Sequence, residues 1–230
     1  RTAQLPLALR YPPDQRFDTF VGADATVAQL RALAAAGAGN AYLAGAAGTG
    51  KTHLALAVCA AVDAHGRRAA YLPLASAAGR VRDALDALHD NDLIALDGVD
   101  AVAGARDDEV ALFDFHNRAH DAGKTVLYAA RAVPDALELA LPDLRSRLAQ
   151  CARSVLPPLD DDGRREVLRR RAQRRGLAVE DAALDWLLKR AGRDLAGLAA
   201  VLDRLDRASL AAQRRITVPF LKQVLEADSG

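Results

Sequence analysis

The stretch Gly45-Ala46-Ala47-Gly48-Thr49-Gly50-Lys51-Thr52 decides the fold. It fits G-x-x-x-x-G-K-[ST], a loop whose glycines let backbone N–H groups turn toward phosphate oxygens. Its flanks have the matching character. Apolar residues over 41–44 read as a strand leading in, and Leu54, Leu56, Val58 and Ala61 mark an amphipathic helix leading out. A helix beginning at this point directs its positive end at the phosphates. In such a loop Gly45, Gly48, Thr49 and Gly50 form the cradle. Lys51 reaches the β- and γ-phosphates, and the Thr52 hydroxyl coordinates Mg2+.

Apolar runs of strand length recur at 69–72, 93–96, 125–129 and 152–156. Helical patterns fall between them, over 26–36, after Gly50, over 80–89 and from Asp107 onward. This alternation predicts an α/β fold with a parallel sheet. Leu93-Ile94-Ala95-Leu96-Asp97 ends in a carboxylate at a strand's C-terminal end, the edge where ligands collect in open sheets. Asp97 is therefore the second candidate Mg2+ ligand, expected on a strand neighbouring that of the phosphate loop. Hydrolytic P-loop proteins often place a second acid next. Here Gly98 follows, and Asp100 stands two positions further on, so unaided hydrolysis is expected to be slow.

After Pro157-Pro158 the strand signal mostly stops. Residues 161–175, 180–191 and 194–212 read as helices, and Thr217-Val218-Pro219 reads as a helix start with Thr as cap and Pro in the first turn. The expected organisation is an extended segment over 1–15, closed by Tyr11-Pro12-Pro13, then an α/β nucleotide-binding domain over 16–158 and a helical domain over 159–230.

Composition bounds the function. With 230 residues and 51% hydrophobic content the chain is neither a disordered tail nor a disulfide-stapled miniprotein. Its 31 Lys and Arg nearly balance 30 Asp and Glu, which excludes a general polycation for nucleic acid. No apolar run approaches the roughly 20 residues that span a bilayer, and no charged-then-apolar leader is present. Cys59 and Cys151 lack metal-ligand spacing and read as free core thiols, so a cytoplasmic location is expected. Seven arginines fall within 164–175, but Asp160, Asp161, Asp162 and Glu166 adjoin them. A solvated helix face fits this pattern better than a DNA patch, and direct DNA contact is expected to be weak or absent.

These residues and their surroundings resemble the AAA+ family, within it the DnaA-like clade, and within that clade its regulatory-inactivator branch. Gly48-Thr49-Gly50-Lys51-Thr52-His53-Leu54 is the form of the loop that the clade favours, which adds His53 to the nucleotide-binding set. Phe17-Asp18-Thr19-Phe20-Val21-Gly22 is similar to the clade's segment near the adenine. Leu141-Pro142-Asp143-Leu144-Arg145-Ser146-Arg147-Leu148 is similar to its arginine-finger box, with Arg147 as the finger acting in trans. Gly192-Arg193-Asp194-Leu195 matches the helix bearing the sensor 2 arginine, so Arg193 is implied to contact the bound nucleotide. The strand over 124–130 ends Tyr128-Ala129-Ala130, where the clade carries a polar sensor 1 residue. Together with Gly98, this implies an ADP-bound working form without a robust ATPase of its own. Gln4-Leu5-Pro6-Leu7 resembles the peptide by which bacterial replication proteins bind the DNA polymerase III β sliding clamp. Leu5 and Leu7 would fill an apolar cleft and Gln4 would hydrogen-bond at its rim.

The resemblance implies a regulator that binds ADP and the clamp and stimulates hydrolysis of ATP held by DnaA. Self-assembly into a homo-oligomer is compatible with an edge arginine. The competing expectation is a DNA-acting AAA+ ATPase, either an initiator fragment or a helicase loader. An initiator needs a duplex-reading domain, and about ten residues after Phe220 leave no room for one. A P-loop small-molecule kinase leaves 141–148 and the helical domain without a role.

Overall fold

The computed structural model describes residues 11–12, 15–190, 201–202, 204–206 and 215–226. The chain divides into two compact units, Arg1–Pro157 and Pro158–Gly230.

The first unit alternates helices and strands: α1 (Asp24–Ala36), β1 (Gly39–Ala44), α2 (Lys51–Ala64), β2 (Ala69–Pro73), α3 (Val81–Asp86), β3 (Leu93–Asp97), α4 (Arg106–Asp121), β4 (Thr125–Ala130), α5 (Pro142–Ala149) and β5 (Ala152–Val155). The strands form one parallel sheet in the order β2-β3-β4-β1-β5. The expected α/β architecture is therefore observed. Side chains alternate across the sheet with the period of two that strand geometry imposes. Tyr42, Ile94, Leu96, Val126 and Tyr128 face α3, α4 and α5. Ala41, Leu43, Leu93, Ala95 and Leu127 face α1 and α2. Two apolar layers thus cover β1, β3 and β4, and the Tyr42 and Tyr128 hydroxyls inside them find partners. The Tyr42 hydroxyl donates to the Ala132 carbonyl at 2.8 Å, and the Tyr128 hydroxyl lies 3.0 Å from His116 Nδ1.

One expectation is corrected. The Asp97 strand does not neighbour β1, because β4 pairs with both and stands between them. All six β4 residues are buried, and a strand covered on both faces belongs in the sheet's centre. Two helices also differ in extent. α1 begins at Asp24, an acid in its first turn, two residues before the expected start. α3 ends at Asp86, short of the expected 89, after it has buried Val81 and Leu85.

Ahead of α1, Tyr11 is tied to this unit and to Arg16. The Tyr11 hydroxyl donates to the Ala69 carbonyl at 2.8 Å, and Arg16 donates to the carbonyls of Tyr11 and Pro12.

The second unit holds α6 (Asp161–Arg174), α7 (Asp181–Arg190) and a further helix, α8 (Val218–Glu226). Asp160 caps α6 by accepting the Gly163 N–H at 2.7 Å. Thr217 stands at the start of α8, as its sequence predicts, and its carbonyl accepts the Leu221 N–H at 2.9 Å. Leu168, Leu184, Leu187, Leu205, Ile216 and Leu221 lie in this unit's own core. The helix expected over 194–212 falls mostly outside the described residues; 201–202 and 204–206 are helical. Four of the α6 arginines are ion-paired within the unit: Arg164 with Asp161, Arg165 with Asp185, Arg169 with Glu166 and Asp181, and Arg170 with Glu166. These four arginines are thus paired with acids of the second unit itself.

Candidate functional site

The phosphate loop leaves β1 at Ala44 and enters α2 at Lys51. Gly50 caps α2 at φ 95°, in the left-handed region that glycine enters without cost. A Cβ there would come within 2.5 Å of the Phe20 ring. The position therefore demands glycine twice over, once for backbone and once for space. Lys51 Nζ donates to the carbonyls of Gly45 at 2.6 Å and Ala46 at 2.9 Å. The Thr49 hydroxyl donates to the same Ala46 carbonyl at 2.9 Å. Burial lowers the pKa of Lys51, opposed by the charges of Asp97 and Asp100 and reinforced by that of Arg131. A half-buried ammonium with main-chain carbonyls of its own loop as acceptors, at a helix N-terminus, fits a phosphate group.

Although β4 separates their strands, Thr52 and Asp97 meet. The Thr52 hydroxyl donates to Asp97 Oδ2 at 2.5 Å, and the Tyr71 hydroxyl donates to the same oxygen at 2.8 Å. Burial and the Asp97 charge push the Tyr71 hydroxyl far above its ordinary pKa, so it remains a donor. Among the described residues no group of three or more His, Cys, Asp or Glu could hold a metal by itself. A hydroxyl plus one carboxylate suits Mg2+, which takes oxygen ligands, keeps waters and shares substrate phosphates.

The segment before α1 packs on this loop. His53 Nε2 lies 2.8 Å from the Arg16 carbonyl and 3.1 Å from the Thr19 hydroxyl. The Phe20 ring meets the His53 ring edge-on at 5.2 Å. His53 thus pins the 16–20 segment against α2.

Arg147 lies elsewhere. It is exposed at the end of α5 and lines a cavity of about 510 Å3 with Gly39, Asn40, His116, Asn117 and Gln150. Gly39 begins β1 and Gly45 follows its end, so the two sites sit at opposite edges of the sheet. Six residues at about 3.3 Å each separate them by about 20 Å.

Comparison with known families adds a second line of evidence. The family described as "Hda, lid domain" matches residues 161–225, and the "ATPase family associated with various cellular activities (AAA)" matches residues 41–152. Domain III of the Thermotoga maritima replication initiation protein DnaA superposes with a TM-score of 0.77 at 19% identity, over 94% of this chain and 98% of that one. The chain carries an AAA domain followed by an Hda-type lid domain. AMPPCP-bound DnaA from Aquifex aeolicus superposes at 0.70 with 22% identity, over 84% of this chain and 65% of that one. The Thermotoga maritima RuvB Holliday junction branch migration motor does so at 0.68 with 19% identity, over 94% and 72%. At these identities the solved structures establish the shared AAA+ fold alone.

Gly45, Gly48, Thr49, Gly50, Lys51 and Thr52 thus come together with Asp97, and Arg147 stands apart from them. Arg193 and the tail residues Gln4, Leu5 and Leu7 lie outside the described residues. Three residues of this AAA+ unit were not anticipated. Tyr71 holds Asp97 from β2, and an aromatic in an apolar run carries no signal of that contact. Glu109 is fully buried and accepts the backbone N–H groups of Gly104, Ala140 and Leu141, which fixes the start of α5. Arg131 follows β4 directly. The first charged residue after a buried strand was its available signal.

Proposed function

We propose that this protein is a regulatory inactivator of the replication initiator DnaA. It binds ADP with Mg2+ through the 45–52 loop and Asp97, docks on the sliding clamp through Gln4, Leu5 and Leu7, and presents Arg147 to the ATP of a DnaA molecule. The observation that carries this reading is the separation of Arg147 from the chain's own phosphate loop, across the length of β1. An arginine so placed has no access to the nucleotide of its own subunit and is available to that of another.

The division of labour follows from the residues. Lys51 and the loop N–H groups hold phosphate charge, while Thr52 and Asp97 supply hard oxygens for the metal. The metal's contribution when bound is to neutralise phosphate charge. Gly98 provides no carboxylate to orient water beside Asp97, which supports a bound nucleotide that persists. A guanidinium matches phosphate oxygens with a two-pronged donor set, the property that makes an arginine finger worth about 10³–10⁵ in rate. The Hda-type lid favours this reading over a DNA-acting motor.

The test is to incubate ATP-loaded DnaA with this protein and DNA-loaded clamp and measure the ATP that remains on DnaA. Depletion is expected only when all three are present. ATP that persists in the complete mixture refutes the proposal.

A further inference from the structure

Because β4 stands between β1 and β3, its C-terminal end opens between the phosphate loop and the loop after Asp97. The Gly45 N–H donates to the Ala130 carbonyl at 3.1 Å, and the Gly98 N–H donates to the Ala129 carbonyl at 2.9 Å. The next residue, Arg131, therefore emerges between the two halves of the nucleotide site. Asp100 holds it there. Asp100 Oδ1 accepts the Arg131 backbone N–H at 2.8 Å, and Oδ2 lies 3.4 Å from Arg131 Nε. The Asp100 side chain is 23% exposed and that of Arg131 is 74% exposed. The backbone is thus clamped, while among the described residues the guanidinium keeps only a long ion pair and its outer donors stay accessible.

We propose that Asp100 and Arg131 form a nucleotide-state latch, in which Arg131 contacts the terminal phosphate of a bound triphosphate and rests on Asp100 when the site holds a diphosphate. The inference rests on the reading of 45–52 as a nucleotide site. It assigns to Arg131 the place beside Ala129-Ala130 where no polar sensor side chain is present. The chemistry differs from that of a neutral sensor. A guanidinium supplies a full charge and a two-pronged donor set that matches phosphate oxygens. Arg131 and Lys51 already feel one another electrostatically, with Asp97 and Asp100 as the nearby counter-charges. A third phosphate brings additional negative charge to this group of cations and competes with Asp100 for Arg131. A diphosphate lacks that group and leaves the ion pair intact. With Gly98 in place of a second acid, the latch separates triphosphate from diphosphate by affinity, without turnover.

The test is calorimetric titration of Mg-AMPPCP and Mg-ADP into the wild-type protein and into Arg131→Ala, Arg131→Lys and Asp100→Asn. Arg131→Ala is expected to weaken AMPPCP by about 10-fold or more, the scale of a charge-assisted hydrogen bond, and to leave ADP within about 2-fold. Arg131→Lys restores part of the AMPPCP affinity. Asp100→Asn keeps the side-chain shape, removes the competing charge and raises the preference for AMPPCP over ADP, so it remains decisive if Arg131→Ala fails to fold. An AMPPCP-to-ADP ratio unchanged in both Arg131→Ala and Asp100→Asn overturns the latch alone. A wild-type protein that binds neither nucleotide overturns the site reading and the latch with it.

Discussion

Glu109 offers the sharpest test of how the Arg147 edge is built. Its carboxylate is fully buried, and Oε1 accepts the Gly104 N–H at 2.6 Å and the Ala140 N–H at 3.0 Å, while Oε2 accepts the Leu141 N–H at 2.7 Å. Leu141 is the cap residue of α5, so one side chain ties the loop before α4 to the start of the helix that carries Arg147. Glu109→Ala leaves three backbone donors without their acceptor, on exposed Gly104 and Ala140 and half-buried Leu141, where a fully buried donor would cost about 1–3 kcal/mol. Water entering along the two loops recovers part of this, which sets the expected loss at about 3–5 kcal/mol. That is a large share of the roughly 5–15 kcal/mol that holds a domain folded. Glu109→Gln keeps one acceptor oxygen and turns an amide donor toward the remaining N–H, for an intermediate loss of about 1–3 kcal/mol. Glu138→Ala, on the exposed loop nearby, is the control and is expected within about 0.5 kcal/mol of wild type. Urea unfolding measures all three. A Glu109→Ala variant within about 1 kcal/mol of wild type would show that these N–H groups do not depend on the carboxylate and would refute the reasoning.

Other expectations follow from the same residues. Replacing Gln4, Leu5 and Leu7 together by Ala is expected to abolish clamp binding in a pull-down and to leave ADP affinity unchanged; retained clamp binding places the contact elsewhere. Purified protein is expected to hydrolyse ATP far below one turnover per second, because Gly98 supplies no second acid; a steady rate of several per second, removed by Lys51→Ala, contradicts this. His116 has its pKa lowered by burial, with further repulsion from Arg147 and His120. The unfolded chain then binds the extra proton first, so stability falls as pH drops from about 6.5 through the folded-state value. His116→Gln should flatten that slope in thermal melts at pH 5 to 7, and an unchanged slope assigns the effect to other groups.

Much of the nucleotide site was legible because its determinants are local. The glycines, Lys51 and Thr52 are consecutive, and Asp97 ends an apolar run whose burial follows from its composition. The sheet order was less accessible, since adjacency depends on which strand is covered on both faces. The completely buried β4 is apolar throughout apart from Thr125, and in hindsight this marks it as central. Its insertion between β1 and β3 is what carries Arg131 into the site, so one missed adjacency concealed one residue. Tyr71 and Glu109 escaped for a different reason. Their roles are hydrogen bonds over 26 to 32 residues of sequence, to Asp97, Ala140 and Leu141, and no periodicity encodes such contacts. The lid was readable as helices, and its ion-paired arginines agree with the acids interleaved among them.

The central claim is that one chain keeps its own nucleotide at one edge of the sheet and acts on another protein's nucleotide from the opposite edge. Arg147→Ala tests it most directly when two quantities are read on the same preparation: the variant's affinity for ADP, and its stimulation of DnaA-bound ATP hydrolysis in the presence of DNA-loaded clamp. The account predicts ADP affinity within about 2-fold of wild type and loss of most of the stimulation, with Arg147→Lys recovering only part because an ammonium cannot fork across two oxygens. Weakened ADP binding together with normal stimulation would contradict it.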